Sequence, residues 1–149
     1  MTGHVLLDSA VLIYSIGGAH PYREPCRQLM EAIRRGTVDA STTALAIQEV
    51  MHQRARRTGD RVAAAAVARD LSTVLGVHDL RGSDARRAAA LFADHAALDA
   101  ADAWHAAVAI DRGVTTIVSP DPAFDAVPGL VRLDPGAAAA AVSSPPRPG

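Results

Sequence analysis

Thr115-Thr116-Ile117-Val118-Ser119-Pro120-Asp121-Pro122 decides the fold of this chain. Its first four residues are the clearest β signal in the sequence, a β-branched run that follows a helix stop at Gly113 and ends at a Ser-Pro-Asp-Pro breaker. Upstream, Asp99 caps a helix predicted to run to about Arg112. Downstream, Leu130-Val131-Arg132-Leu133 offers a last strand. The same alternation holds toward the N-terminus. Val5-Leu6-Leu7 reads as a buried strand ending at Asp8, with Ser9 capping a short helix to about Ile16 that closes at Gly17-Gly18. Pro21 suits the first helical position of a segment running to Arg35, with Leu29, Met30 and Ile33 facing inward. Thr37–Ala40 is a short strand candidate. A helix from about Thr43 to Arg57 follows, then one capped by Asp60 to Leu75, a strand at Val77–Leu80, and a helix from Ser83 to about His95.

Short strands between single or paired helices predict an α/β three-layer sandwich, a mostly parallel central sheet flanked by helices. One domain spans residues 1–134. From Pro135 the chain turns Ala-, Ser- and Pro-rich, so residues 135–149 are expected to form a tail with little fixed structure. Its 149 residues suffice for one sizeable core.

All fifteen basic residues are Arg. With no Lys, a GxxxxGK[ST] phosphate loop, Schiff-base and pyridoxal-phosphate chemistry, and protein kinases are excluded. The bias itself fits a GC-rich genome. The lone Cys26 precludes an intrachain disulfide and a multi-Cys zinc site. Asp8 interrupts the apolar N-terminal stretch and no basic residue precedes it, so it is not a signal peptide, and no apolar run reaches transmembrane length. The cytoplasm is the expected location. A net charge of −1 makes any nucleic-acid surface a local patch.

Ligands in open α/β sheets gather outside the carboxyl ends of the strands. Asp8 ends the first strand there, and Asp121 lies three residues past Val118. Glu49 sits among Ile47, Val50 and Met51, and Asp102 lies in the first turn of the helix that Asp99 caps. Such carboxylates repel by about 4 kcal/mol per pair at ~4 Å and an effective dielectric of 20. They take up protons or hold a divalent ion, and hard Mg2+ or Mn2+ suits an all-oxygen site and phosphate chemistry. Each acid also has a local explanation. Asp8-Ser9 reads as a helix cap, Asp99 with Asp102 imitates a capping box, and Asp121 between prolines reads as a turn. Glu49, one of three Glu in the chain, is harder to explain locally.

Val5–Leu12 resembles the opening strand and first acid of PIN-domain proteins. Glu49 is similar to their second acid, Asp102-Ala103-Trp104-His105-Ala106-Ala107 resembles their third motif, and Thr116–Asp125 resembles their closing strand, fourth acid and following Phe. The resemblance reaches to about Leu133, and at this length points to the VapC-like toxin ribonucleases of bacterial toxin–antitoxin pairs. It implies a Mg2+- or Mn2+-dependent endoribonuclease blocked by an antitoxin protein and assembled as a homodimer or larger complex. The implied ligands and catalytic acids are Asp8, Glu49, Asp102 and Asp121, with Asp99 and Asp125 as further candidates. Ser9 and Ser119 would support them, Ser119 standing where the family usually has Thr.

Glu49-x-x-His52 and Asp102-x-x-His105 also have the spacing of carboxylate-bridged di-metal helical bundles, against which the strand signals argue. His52 is otherwise expected on the exposed side and His105 at the pocket rim. Arg54, Arg56, Arg57 and Arg61 form the densest basic stretch, either holding RNA phosphates or simply solvating a helix end. Trp104 is expected in the core or a dimer contact. A PIN-like binding module with an incomplete site is the non-enzymatic alternative.

Overall fold

The computed structural model describes residues 3–144 and 149. Five strands, β1 (Val5–Leu7), β2 (Ala40–Thr43), β3 (Gly76–His78), β4 (Thr116–Val118) and β5 (Val131–Leu133), form one sheet in the order β3-β2-β1-β4-β5. Every pairing is parallel, with Leu6 opposite Ser41 on one side and Ile117 on the other. Because β1 pairs with both β2 and β4, the chain winds outward in one direction and then restarts in the other. The crevice that ligands use in open parallel sheets therefore lies at the carboxyl end of β1.

Alternation along β1 explains the layers. Leu7 belongs to the core under α1 (Ser9–Ile16), α2 (Arg23–Arg34), α3 (Ala44–Thr58), α4 (Arg61–Val74) and α7 (Pro135–Ser143), where it meets Leu12, Leu29, Val50, Leu71 and Ala138. Leu6 faces the other way, onto Ala106 and Ala109 of α6 (Ala100–Asp111) and Phe124 of a 3-10 turn at Pro122–Ala126. Both leucines are fully buried, each worth about 1.5–3 kcal/mol of transfer free energy. The run of Ala103, Ala106, Ala107 and Ala109 lets α6 lie close to the sheet on one side and to Ala88 of α5 (Gly82–Asp94) on the other. The expected three-layer sandwich with a parallel sheet is the observed one, and a helical bundle with di-metal motifs is not.

Several segments differ from expectation. The second strand is Ala40–Thr43, not Thr37–Ala40, because Thr37 is consumed in closing α2. Gly36 takes φ 74°, and both the backbone N–H and the hydroxyl of Thr37 donate to Ala32 O. Residues 135–143 are also no loose tail. Asp134 caps α7 by accepting from Gly136 N, Pro135 suits its first turn, and Ala138 and Ala139 are buried against α2. Ala reads as low complexity in composition, but a helix of small side chains can lie tight against a core. The rest of the expected tail, 145–148, falls outside the described residues. The second helix also starts at Arg23, two residues beyond Pro21.

Candidate functional site

A cleft of about 540 Å³ opens at the carboxyl ends of β1, β2 and β4. Asp8, Glu49, Asp99, Asp102 and Asp121 all line it. Each arrives by a local cause. Asp8 is the residue between β1 and α1, and it is the N-cap in place of Ser9, although its side chain makes no capping bond. Thr43 ends β2 and caps α3 by accepting from Ala46 N, which sets Glu49 at the second turn. Asp99 caps α6 by accepting from Asp102 N at 2.8 Å, which turns Asp102 into the cleft. Asp121 caps the 3-10 turn with one oxygen, at 2.9 Å from Ala123 N.

Small hydroxyls and one imidazole tie these acids together. Ser119 Oγ accepts from Asp121 N at 3.0 Å and donates to Asp8 Oδ2 at 2.7 Å, so one hydroxyl fixes two acid-bearing loops. Ser9 Oγ donates to Glu49 Oε2 at 3.2 Å and lies 3.4 Å from Asp8 Oδ1. Beneath them His105 is buried, not at the rim. Its Nε2–H donates to Glu49 Oε1 at 2.9 Å and stands 3.7 Å from Asp8 Oδ1, while Nδ1 meets Thr43 Oγ1 at 3.0 Å. The signal for this was present, since His105 lies one turn beyond Asp102 on a helix with little exposed surface.

The electrostatics follow from burial and crowding. Burial first, then the charges of Asp8, Asp99 and Asp121, push Asp102 up to about 7. Burial likewise raises Asp8, against the pull of His105 and the Ser119 hydrogen bond. Burial disfavours a charged His105, but the Glu49 hydrogen bond and the charges of Asp8, Glu49 and Asp102 outweigh it and raise the imidazole. One imidazolium does not balance five carboxylates. Among the described residues no three His, Cys, Asp or Glu side chains are yet drawn around a common point. The donor set itself, all carboxylate oxygens with backbone and hydroxyl support, suits a hard Mg2+ or Mn2+ ion that brings its own waters.

Other expected site residues fall elsewhere. Asp125 is turned away from the cleft and paired with Arg132 at 2.9 Å, while a second nitrogen of that guanidinium donates to Ser119 O. Arg54 closes α1 by donating to Ile16 O at 3.0 Å. Arg56 and Arg57 are exposed, and Arg57 lines a groove next to the cleft. Arg61 lines a separate groove with Met51 and the exposed His52. Trp104 packs half-buried beside Ala88. The sequence reading missed Tyr14, His20 and Tyr22, which also line the acidic cleft. Both tyrosines of the chain fall within nine residues around Gly17-Gly18, a clustering that was visible.

Comparison with known proteins places the chain in a family. A family model described as the PIN domain matches residues 5–130. Ribonuclease VapC7 of Mycobacterium tuberculosis is 42% identical over 136 residues, covering 90% of this chain and 93% of that protein. The fold matches VapBC2 of Rickettsia felis, solved bound to promoter DNA, with a TM-score of 0.69 at 12% identity over 89% of this chain and 98% of that one. It also matches VapC20 of M. tuberculosis, a toxin that cleaves the sarcin–ricin loop, with a TM-score of 0.62 at 20% identity over 76% and 86%.

Proposed function

The chain belongs to the PIN-domain family, and from that membership we propose that it is a metal-dependent endoribonuclease, the toxin of a toxin–antitoxin pair. The observation that carries the reading is the convergence of Asp8 after β1, Glu49 on α3, Asp102 on α6 and Asp121 after β4 in one cleft. The identity to a ribonuclease over nearly the whole of both chains supports RNA as the substrate. The antitoxin partner, the cytoplasmic location and the homodimer or larger assembly belong to the same reading. Consistent with it, no helix among the described residues is long and apolar enough to cross a membrane.

Asp8, Glu49, Asp102 and Asp121 would hold the ion, with Asp99 lining the same cleft. Bound there, Mg2+ or Mn2+ supplies a Lewis acid for a phosphoryl oxygen and lowers the pKa of water. The chain's own residues do the positioning. Ser119 orients Asp8 and the Asp121 loop together, and His105 with Ser9 fixes both oxygens of Glu49. Held this way, Asp8 and Glu49 cannot swing apart to relieve their repulsion, so the cleft keeps its demand for a cation. A scissile phosphate, itself anionic, is admitted only with that charge balanced.

The test is RNA cleavage by purified protein with Mg2+ or Mn2+, read by sequencing the new RNA ends. Cleavage should stop with EDTA and in Asp8→Asn and Asp102→Asn. Cleavage that survives both substitutions rejects this site. A protein that binds RNA but never cuts it would be the binding module instead.

A further inference from the structure

Tyr14, His20 and Tyr22 form a three-ring stack at the lip of the acidic cleft. Tyr14 and His20 lie 4.1 Å apart at 11°, and Tyr22 stands 5.9 Å from Tyr14 and 6.0 Å from His20 at 24° and 20°. The stack is graded in burial. Tyr14 and Tyr22 rest half-buried on the core below α1 and α2, and His20 is exposed. Tyr22 is further pinned by donating its hydroxyl to Asp134 Oδ2 at 2.7 Å, and the other oxygen of Asp134 caps α7.

Position gives the stack a use. A second groove, containing Gln53 and the exposed Arg57, shares Ala10, Tyr14 and His20 with the acidic cleft. The two form one track: carboxylates, then near-parallel rings, then a guanidinium. A nucleic acid presents the matching order of phosphate, base and phosphate.

We propose that Tyr14, His20 and Tyr22 are a stacking platform for an unpaired RNA base beside the scissile phosphate, with Arg57 taking a neighbouring phosphate. The proposal rests on the RNA-cleaving reading above. The base must be unpaired, because a base within a duplex has both faces covered by its neighbours. Stacking tolerates any base, so the platform selects single-stranded segments and loops more than a sequence.

The experiment uses the cleavage-dead Asp8→Asn protein and fluorescent random-sequence RNA oligonucleotides, single-stranded or annealed to their complements. His20 is exposed and its Nδ1 accepts from Tyr22 N at 3.1 Å on the solvent side, so His20→Ala is expected to fold with at most a small drop in melting temperature. Adding His20→Ala should weaken single-strand binding about 5- to 100-fold, and His20→Phe should restore it. Duplex binding should be weaker and indifferent to the ring. In the active protein, His20→Ala should blur the preference for unpaired cut sites. Unchanged affinity and cut sites overturn the platform while leaving the nuclease reading intact. Failure of the wild-type protein to cleave RNA with either metal, together with failure of Asp8→Asn to bind it, overturns both. If His20→Ala keeps its RNA behaviour but escapes its antitoxin, the rings serve the protein partner and the platform is wrong.

Discussion

His105 Nε2 lies 2.9 Å from Glu49 Oε1, the shortest link between the imidazole of α6 and the acids of the cleft. The ring is 1% exposed and reaches Thr43, the cap of α3, through its other nitrogen. One side chain on α6 therefore sets the carboxylate of α3 and touches the residue that starts that helix.

His105→Ala removes this support without removing an acid. Partners that orient metal-binding carboxylates are typically worth about 10–100-fold in metal affinity or activity. Cleavage should fall by that factor, and the Mg2+ concentration for half-maximal cleavage should rise. Titrating Mg2+ in the cleavage assay checks this. An unchanged metal requirement would mean that His105 serves packing alone.

Asp102 should trade stability for function. Its carboxyl is pushed up to about 7, so at pH 8 the metal-free fold carries an unwanted charge. Asp102→Asn keeps the shape and removes the charge, with a gain on the order of 1–4 kcal/mol. The variant should melt several degrees higher than wild type in EDTA at pH 8 while losing cleavage. A lower melting temperature would show that the charge is already compensated.

The same groups set a pH dependence. The unfolded acids titrate near ~3.9, whereas Asp102 titrates at about 7 and Asp8 is also raised. Between about pH 4 and pH 7 the folded protein thus binds more protons than the unfolded chain, and metal-free stability falls as pH rises. His105 adds the same sign at higher pH. Its raised imidazole contributes stability that is complete below ~6.5 and lost as pH climbs through its folded value. A divalent ion competes with these protons and cancels the repulsion. Millimolar MgCl2 should therefore raise the melting temperature more at pH 8 than at pH 5. Equal shifts at both would place ion binding outside these acids.

Far from the cleft, Arg112 grips the fully buried Asp84 through two bonds of 2.8 Å, joining the end of α6 to the start of α5. The guanidinium, foremost, holds the Asp84 carboxyl well below its ordinary range. That stability is present above the unfolded pKa and lost as pH falls through the folded one. Asp84→Ala leaves the Arg112 guanidinium to Asp79, whose carbonyl lies at 2.7 Å and whose exposed carboxylate lies at 3.5 Å, and should cost about 1–3 kcal/mol in denaturant unfolding. Asp84→Leu with Arg112→Met should recover most of it. A double variant as unstable as the single would mean that the pair is needed for more than charge balance.

The acids were legible because strand ends and helix caps are local features. Asp8, Asp99 and Asp121 each follow from a boundary visible in sequence, and the order of the strands then brings them together. The burial of His105 was readable from the small, apolar face of α6, but its partners Glu49 and Thr43 come from α3 and its cap, which no pattern on α6 names. Asp125 looked equivalent to Asp121 in spacing, but Arg132 of the next strand claims it. Thr37 carries strand propensity and was instead spent on a helix end. The C-terminal segment failed for a different reason: alanine has no strong pattern, so only the surface awaiting it on α2 explains its helix.

That surface gives the last test. Ala138 is fully buried in the same core as Cys26 and Leu29, and the cap of its helix, Asp134, also accepts the Tyr22 hydroxyl. A disordered tail would accept Ala138→Arg freely. In the packed helix the guanidinium must either enter the core or lift α7 off α2, and overpacking alone costs about 1–3 kcal/mol. The melting temperature should drop by several degrees, whereas the exposed Ala140→Arg should be neutral. Lifting α7 also loosens the bond that pins Tyr22, so Ala138→Arg should weaken RNA cleavage through the ring stack even below its melting temperature. Wild-type stability for Ala138→Arg would return residues 135–143 to the loose tail that composition suggested.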